Sequence, residues 1–220
     1  HSHFVAEKSS LIAKEMGLDD SEVQNVLFAG LLLQIGKMSL PDNMLNKPFY
    51  TLQAFERNEF MHHAIEGEKL LDGIEHLKEV AKLIRCQYEM YDGTGGPDGL
   101  SGEEIPLGSR ILTVVQDYFN YFHGITTGKK MILMAVMKRL GRQKGKRYDP
   151  KVLKLFTNIA VGDPYQTQKI IVETDWFRLQ PGMQIVAVKY RDITYLKNKI
   201  ATNEIIEHIK ELRDEVGIGL

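Results

Sequence analysis

Gln87-Tyr88-Glu89-Met90-Tyr91-Asp92-Gly93-Thr94-Gly95-Gly96-Pro97-Asp98-Gly99 is the stretch on which the fold turns. From Asp92 onward it packs four glycines and a proline into eight residues. Such glycines permit positive φ and close backbone approach, so the segment reads as a tight, specifically shaped loop. Residues 77–90 ahead of it read as a helix that the loop terminates.

The bulk of the chain sets the class of protein around that loop. At 220 residues it holds one medium domain, or one domain with a small appendage. Hydrophobic content of 43% and charged content of 26% are enough for a real core. A net charge of −1 argues against binding nucleic-acid polymers, which usually demands a strong basic excess. The single cysteine, Cys86, has no internal partner and suits a reducing, cytoplasmic compartment. The longest apolar run, residues 26–33, is far short of the roughly 20 residues a membrane helix needs. The opening His1-Ser2-His3 lacks a basic stretch followed by an apolar one, so no secretory signal is expected. The chain passes at once into helical periodicity, which suits a piece of a longer protein.

Residues 3–160 read as mostly helical. Phe4, Val5, Lys8, Leu11, Ile12 and Met16 recur at helical spacing, and Gly17 supplies a stop. Asp19 to Glu22 offer capping oxygens for a second helix. Pro41 and Pro48 bracket a connector, and Thr51 is a candidate cap for a helix through Phe55, Phe60 and His63 toward Leu71. Further helices are expected at residues 109–122 and 129–140. Another follows Asp149-Pro150, a cap and a first-turn proline. After Asp163-Pro164 the composition shifts. Residues 169–173 and 184–188 are β-rich with Pro181-Gly182 between them, and residues 201–216 form an amphipathic helix. The expected architecture is mainly α, with a helical domain at 1–160 and a small α+β module at 165–220.

The order of motifs in the first 156 residues resembles the HD-GYP family, bacterial phosphodiesterases that hydrolyse cyclic di-GMP with a metal cluster held by histidines and carboxylates. Leu33-Gln34-Ile35-Gly36-Lys37 aligns with the family's His-Asp-x-Gly-Lys. Pro41 and Lys47-Pro48 match the connector, and His63 with Gly67 matches a ligand histidine and its glycine. Glu89, Asp92-Gly93, Gly95, Pro97, Gly99-Leu100, Gly102, Ile105-Pro106-Leu107 and Arg110-Ile111 match the signature loop and the helix after it. Tyr148-Asp149-Pro150 matches the Phe-Asp-Pro of the last helix. The resemblance implies an HD-domain-like helical bundle. Leu179-x-Pro181-Gly182-Met183, with the strand and helix patterns after it, resembles a short module that often trails HD-GYP domains, with an expected structural or interaction role.

At the positions where the resemblance implies metal ligands, this chain differs. Leu33 and Gln34 replace the His-Asp pair, and Gln87 and Tyr88 replace two adjacent histidines. Gln116 stands for the aspartate of the following helix; Asp117 is one residue on, turned by about 100°. The loop reads Gly95-Gly96-Pro97 where the family has Gly-Tyr-Pro. His1, His63 and Lys37 survive. Two neutral imidazoles do not hold a two-metal cluster, so no catalytic residue and no cofactor is expected; any metal would be a divalent transition ion. A residual phosphohydrolase using His62, His63, Glu66 and Asp117 is the alternative.

The survivors have plain readings as well. His63 fits a core position, and Lys37 reaches solvent, pairs with Asp117 or Glu89, or attracts phosphate or carboxylate. Residues 138–147 hold six basic side chains, which suits a solvated loop or an acidic partner. Lys129 and Lys130 lie where the family contacts its nucleotide, and are candidate ligand-binding residues. Met131, Met134 and Met137 form a stripe that suits a core. The implied function is a degenerate signalling domain that binds a protein partner or cyclic di-GMP, with a homodimer among the arrangements it allows.

Overall fold

The computed structural model describes residues 1–45, 47–161, 184–190 and 193–200. The chain divides into two compact units, His1–Asn158 and Ile159–Leu220. The first is helical. Helices α1 (Ser2–Glu15) and α2 (Asp20–Leu32) lead to a 3-10 turn at Ile35–Ser39, the short α3 (Asp42–Leu45) and the long α4 (Ala54–Asp72). Then come α5 (Lys78–Arg85), a 3-10 turn at Cys86–Tyr88, the loop, α6 (Leu107–Phe122), α7 (Leu133–Gly141) and α8 (Pro150–Val161). In the second unit, β1 (Gln184–Tyr190) pairs antiparallel with β2 (Ile193–Ile200), from Gln184 opposite Ile200 to Tyr190 opposite Ile193. A register shift falls between Val188 and Lys189.

Local chemistry accounts for the helix ends. The Asp19 carboxylate accepts from the Glu22 amide at 2.8 Å, and the Glu22 carboxylate accepts from the Asp19 amide at 2.9 Å. This reciprocal box starts α2. Asp149 accepts from the amide of Lys151 at 2.7 Å and starts α8 behind Pro150. Helix α6 is buried almost all round, with Ile111, Leu112, Val114 and Val115 at 0% exposure, which marks it as the central helix. α1, α2, α5 and α7 pack against it, and α4 packs on α5. Two of its polar members bond inside the core. The Ser109 hydroxyl donates to the Leu83 carbonyl at 2.9 Å, and that of Thr113 to the Ser109 carbonyl at 2.9 Å.

Several sequence expectations are corrected. The helix before the loop ends at Arg85 rather than at residue 90, because Cys86–Tyr88 tighten into a 3-10 turn. Thr51 does not cap α4; its hydroxyl donates to the Pro48 carbonyl at 2.7 Å, and the helix starts after Gln53. α7 begins at Leu133, not 129, and turns Val136 and Leu140 into the core, leaving Met131 and Met137 half-buried. The described hairpin pairs Gln184–Tyr190 with Ile193–Ile200, after Met183. Residues 169–173, the Leu179 to Met183 motif and residues 201–216 lie outside the described residues.

Candidate functional site

Backbone proximity builds the site. Gly36, in the turn after α2, lies so close to α4 that a Cβ there would collide with the His63 carbonyl and sit 2.6 Å from the Gly67 amide nitrogen. Gly95 lies equally close to the loop's own start, where a Cβ would be 2.6 Å from the Tyr88 carbonyl. Only a residue without a side chain permits either approach. Gly36 thus brings the turn that carries Lys37 against His63, and Gly95 folds the loop back over Tyr88. The loop is braced from within. The Glu89 carboxylate, only 2% exposed, accepts from the amides of Asp98 (2.7 Å) and Leu100 (3.1 Å). Asp92 accepts from the hydroxyl of Thr94 at 2.6 Å, which holds its carboxyl below the usual range. Gly93 has the positive φ (81°) anticipated for the loop, and the Gly96-Pro97 bond is cis. Arg85 anchors the loop's far end through Asp98, with two contacts of 2.7 Å.

The residues at the expected ligand positions gather behind this loop. Leu33, His63 and Gln87 are all at 0% exposure, and Gln116 is 5% exposed. Leu33 is a core side chain. Gln87 donates from Nε2 to the Ile84 carbonyl at 3.0 Å and toward that of Leu33 at 3.4 Å. The Nδ1 of His63 lies 2.5 Å from the Phe60 carbonyl, and its ring meets Phe60 and Tyr88 edge to face. Burial lowers the His63 pKa to about 4, with the nearby Lys37 ammonium pushing the same way, so the ring is neutral near pH 7. Burial likewise lowers Lys37 to about 8. Its ammonium sits 4.6 Å from the Phe60 ring centre, with neither Asp117 nor Glu89 as partner.

Asp117 is engaged elsewhere, as its one-residue offset anticipated. It receives Arg147 Nε at 2.5 Å, a second guanidinium nitrogen at 3.3 Å and the Tyr148 hydroxyl at 2.8 Å. Arg147 is therefore no solvated member of the basic run. Its carbonyl and that of Lys146 accept from the amides of Tyr91 and Asp92, stitching that segment to the loop. Sequence reading missed this arginine because its charged neighbours disguise it. The adjoining Tyr148, a buried residue with a hydroxyl that must find a partner, was the available signal.

The remaining candidates stay apart. His62 is exposed and sits 3.5 Å from Glu66, which also pairs with Lys69 at 2.9 Å. His63 faces the core instead, so the set His62, His63, Glu66 and Asp117 does not assemble. His1 packs its ring on Phe119 at 4.8 Å. Lys129 and Lys130 are exposed in the connector before α7. An open cleft of about 240 Å³ lies between α4 and the loop, bounded by Met61, His62, Ile65, Tyr88 and Pro97.

Among the described residues no three His, Cys, Asp or Glu side chains converge on a point that a metal ion could occupy. Beside His63 stand the Gln87 amide, the Tyr88 phenol, the Phe60 ring and the Lys37 ammonium. Burial pushes the Tyr88 phenol well above its ordinary pKa, so it stays protonated near pH 7. The residues present do not fit a two-metal cluster. No described helix is long and apolar enough to cross a membrane.

Comparison with known proteins places the chain. A family model described as HD domain matches residues 1–152. The cyclic di-GMP phosphodiesterase response regulator RpfG of Xanthomonas campestris pv. campestris is 36% identical over 146 residues, covering 65% of this chain and 38% of the relative. The 3'3'-cGAMP-specific phosphodiesterase 3 of Vibrio cholerae is 34% identical over 113 residues, covering 51% of this chain and 24% of the relative. The chain thus spans well under half the length of these curated relatives. Among solved structures, Bd1817, an HDG"Y"P protein from Bdellovibrio bacteriovorus, superposes with a TM-score of 0.61 at 20% identity, covering 73% of this chain and 51% of that one. The mainly helical architecture is therefore shared. The chain belongs to the HD domain family, with homology to the HD-GYP cyclic di-GMP phosphodiesterases.

Proposed function

We infer that this chain is a non-catalytic signalling domain derived from HD-GYP phosphodiesterases, acting by binding a protein partner or a nucleotide, in the cytoplasm. The observation that carries the reading is the side-chain chemistry around His63. Leu33, Gln34, Gln87, Tyr88 and Gln116 offer no anionic donor, and Asp117, the one carboxylate on α6, is held by Arg147 and Tyr148. Hydrolysing a phosphodiester at neutral pH calls for metal-activated water and charge stabilisation, which this donor set does not support.

The second reading is a residual metal-dependent phosphohydrolase. It is favoured by the relatives, which are named as phosphodiesterases for cyclic di-GMP and cGAMP. Incubating the protein with each dinucleotide and added divalent metal separates the two. Hydrolysis that is lost in His63→Ala supports the residual enzyme, and no turnover with any metal supports the binding domain. Titration calorimetry with the same dinucleotides then divides the binding reading. Heat identifies a nucleotide receptor, for which Lys37, Lys129 and Lys130 are the candidate contacts. No heat at high micromolar ligand identifies a protein-interaction module, and a homodimer is one form this could take.

A further inference from the structure

A neutral imidazole carries one N–H, and His63 is flanked by two groups that need one. Its Nδ1 faces the Phe60 carbonyl at 2.5 Å. Its Nε2, buried and without a partner, faces the Gln87 side chain, whose Oε1 is also buried and without one. With the proton on Nδ1, the Nε2 lone pair meets the Gln87 oxygen. With the proton on Nε2, the Nδ1 lone pair meets the Phe60 oxygen. Turning the Gln87 amide over sets its oxygen against the carbonyls of Ile84 and Leu33, which its nitrogen now serves. Every arrangement is one hydrogen short, and leaving a buried polar atom unmatched costs about 1–3 kcal/mol.

A second proton on the ring would complete the count, but burial and the Lys37 ammonium oppose it. A third buried atom without a partner completes the pattern: Gln34 Nε2, a donor with nothing to donate to. Gln34 directly follows Leu33, whose carbonyl Gln87 approaches, and leads the turn that Gly36 presses onto His63. His63 Nε2 and Gln87 Oε1 are thus two acceptors, and Gln34 Nε2, in the turn that Gly36 sets against His63, is one donor. A metal ion is repelled by the Gln34 N–H and by Lys37, and a fully deprotonated oxyanion brings no hydrogen for the two acceptors. Water matches, with two O–H groups and free lone pairs.

We propose that Gln34, His63 and Gln87 form an internal water site, in which one molecule donates to His63 Nε2 and Gln87 Oε1 and accepts from Gln34 Nε2. The proposal rests on the metal-free reading above and deepens it: water, held by three separate segments, takes the place the family resemblance assigns to metal. The test is a crystal structure of the full chain at a resolution that shows ordered water, with anomalous data at transition-metal edges, and ¹⁵N spectra of the His63 ring. The expected result is a peak without anomalous signal about 2.7–3.2 Å from all three atoms, beside a neutral Nδ1–H ring. Gln87→Leu should lose the peak and keep the tautomer, and if that variant does not fold, the unmodified chain still decides. No peak, Gln34 and Gln87 turned to other partners, or a doubly protonated His63 overturns the water site alone. An anomalous peak at that position overturns both the water site and the non-catalytic reading.

Discussion

Replacing Asp117 by alanine removes the acceptor for three hydrogen bonds: two from Arg147 at 2.5 and 3.3 Å, and one from Tyr148 at 2.8 Å. The carboxylate side chain is 12% exposed and the guanidinium 18%, so the arginine is left largely buried and unpaired. Breaking one partner of a buried pair costs about 3–5 kcal/mol, and the residual exposure of Arg147 points to the lower end, about 3 kcal/mol. For a helical unit ending at Asn158, each kcal/mol moves the melting temperature by about 2–4 °C, so Asp117→Ala should melt about 6–12 °C lower. Calorimetric melts of Asp117→Ala, Arg147→Ala and the double variant should give a coupling of about 2 kcal/mol. The losses should be the same with chelator or with added manganese, because the acid serves an arginine and not a metal. A loss below about 1 kcal/mol, or one that appears only with metal present, would refute the reasoning.

Three further outcomes are expected from the same packing. His63 takes up its proton near pH 4 when folded and near 6.5 when unfolded, so stability should fall as pH drops through that window. The share due to His63 is about 3 kcal/mol and is fully lost below pH 4; urea melts should show this slope, and His63→Gln should remove it. Gly36→Ala places a methyl against the His63 carbonyl and should cost at least about 2 kcal/mol in the same melts; a neutral effect would mean that α4 can give way there. Lys37→Met removes a desolvated ammonium whose one described partner is the Phe60 ring, and should raise stability at pH 7 by about 1 kcal/mol. A fall in stability would reveal an anionic partner for that lysine.

The helical fold was legible because its signals are local. Asp19 and Glu22 cap within four residues, Asp149-Pro150 start α8 in two, and the glycine loop announces its own shape. The site was legible in part. The differences at Leu33, Gln34, Gln87 and Tyr88 can be read one by one, since an alkyl, amide or phenol group does not do the work of an imidazole or a carboxylate. What these side chains and their neighbours bond to could not be read this way. Arg147 finds Asp117 across 30 positions, and Lys37 finds an aromatic face where a carboxylate was anticipated. Such pairings are set by tertiary packing, and a run of basic residues gives no sign of which member turns inward. The early end of α5 was missed for a related reason. Apolar periodicity continues through Cys86, while the backbone tightens to bring Gln87 beside Leu33 and Ile84.

The central claim is that the donor set behind the loop does not hold a metal cluster. Its most direct test is elemental analysis of the chain purified without chelators and then dialysed against manganese, iron or zinc. The account predicts only substoichiometric metal, unchanged in His63→Ala. Two tightly bound transition metals per chain, lost on that substitution, would contradict it.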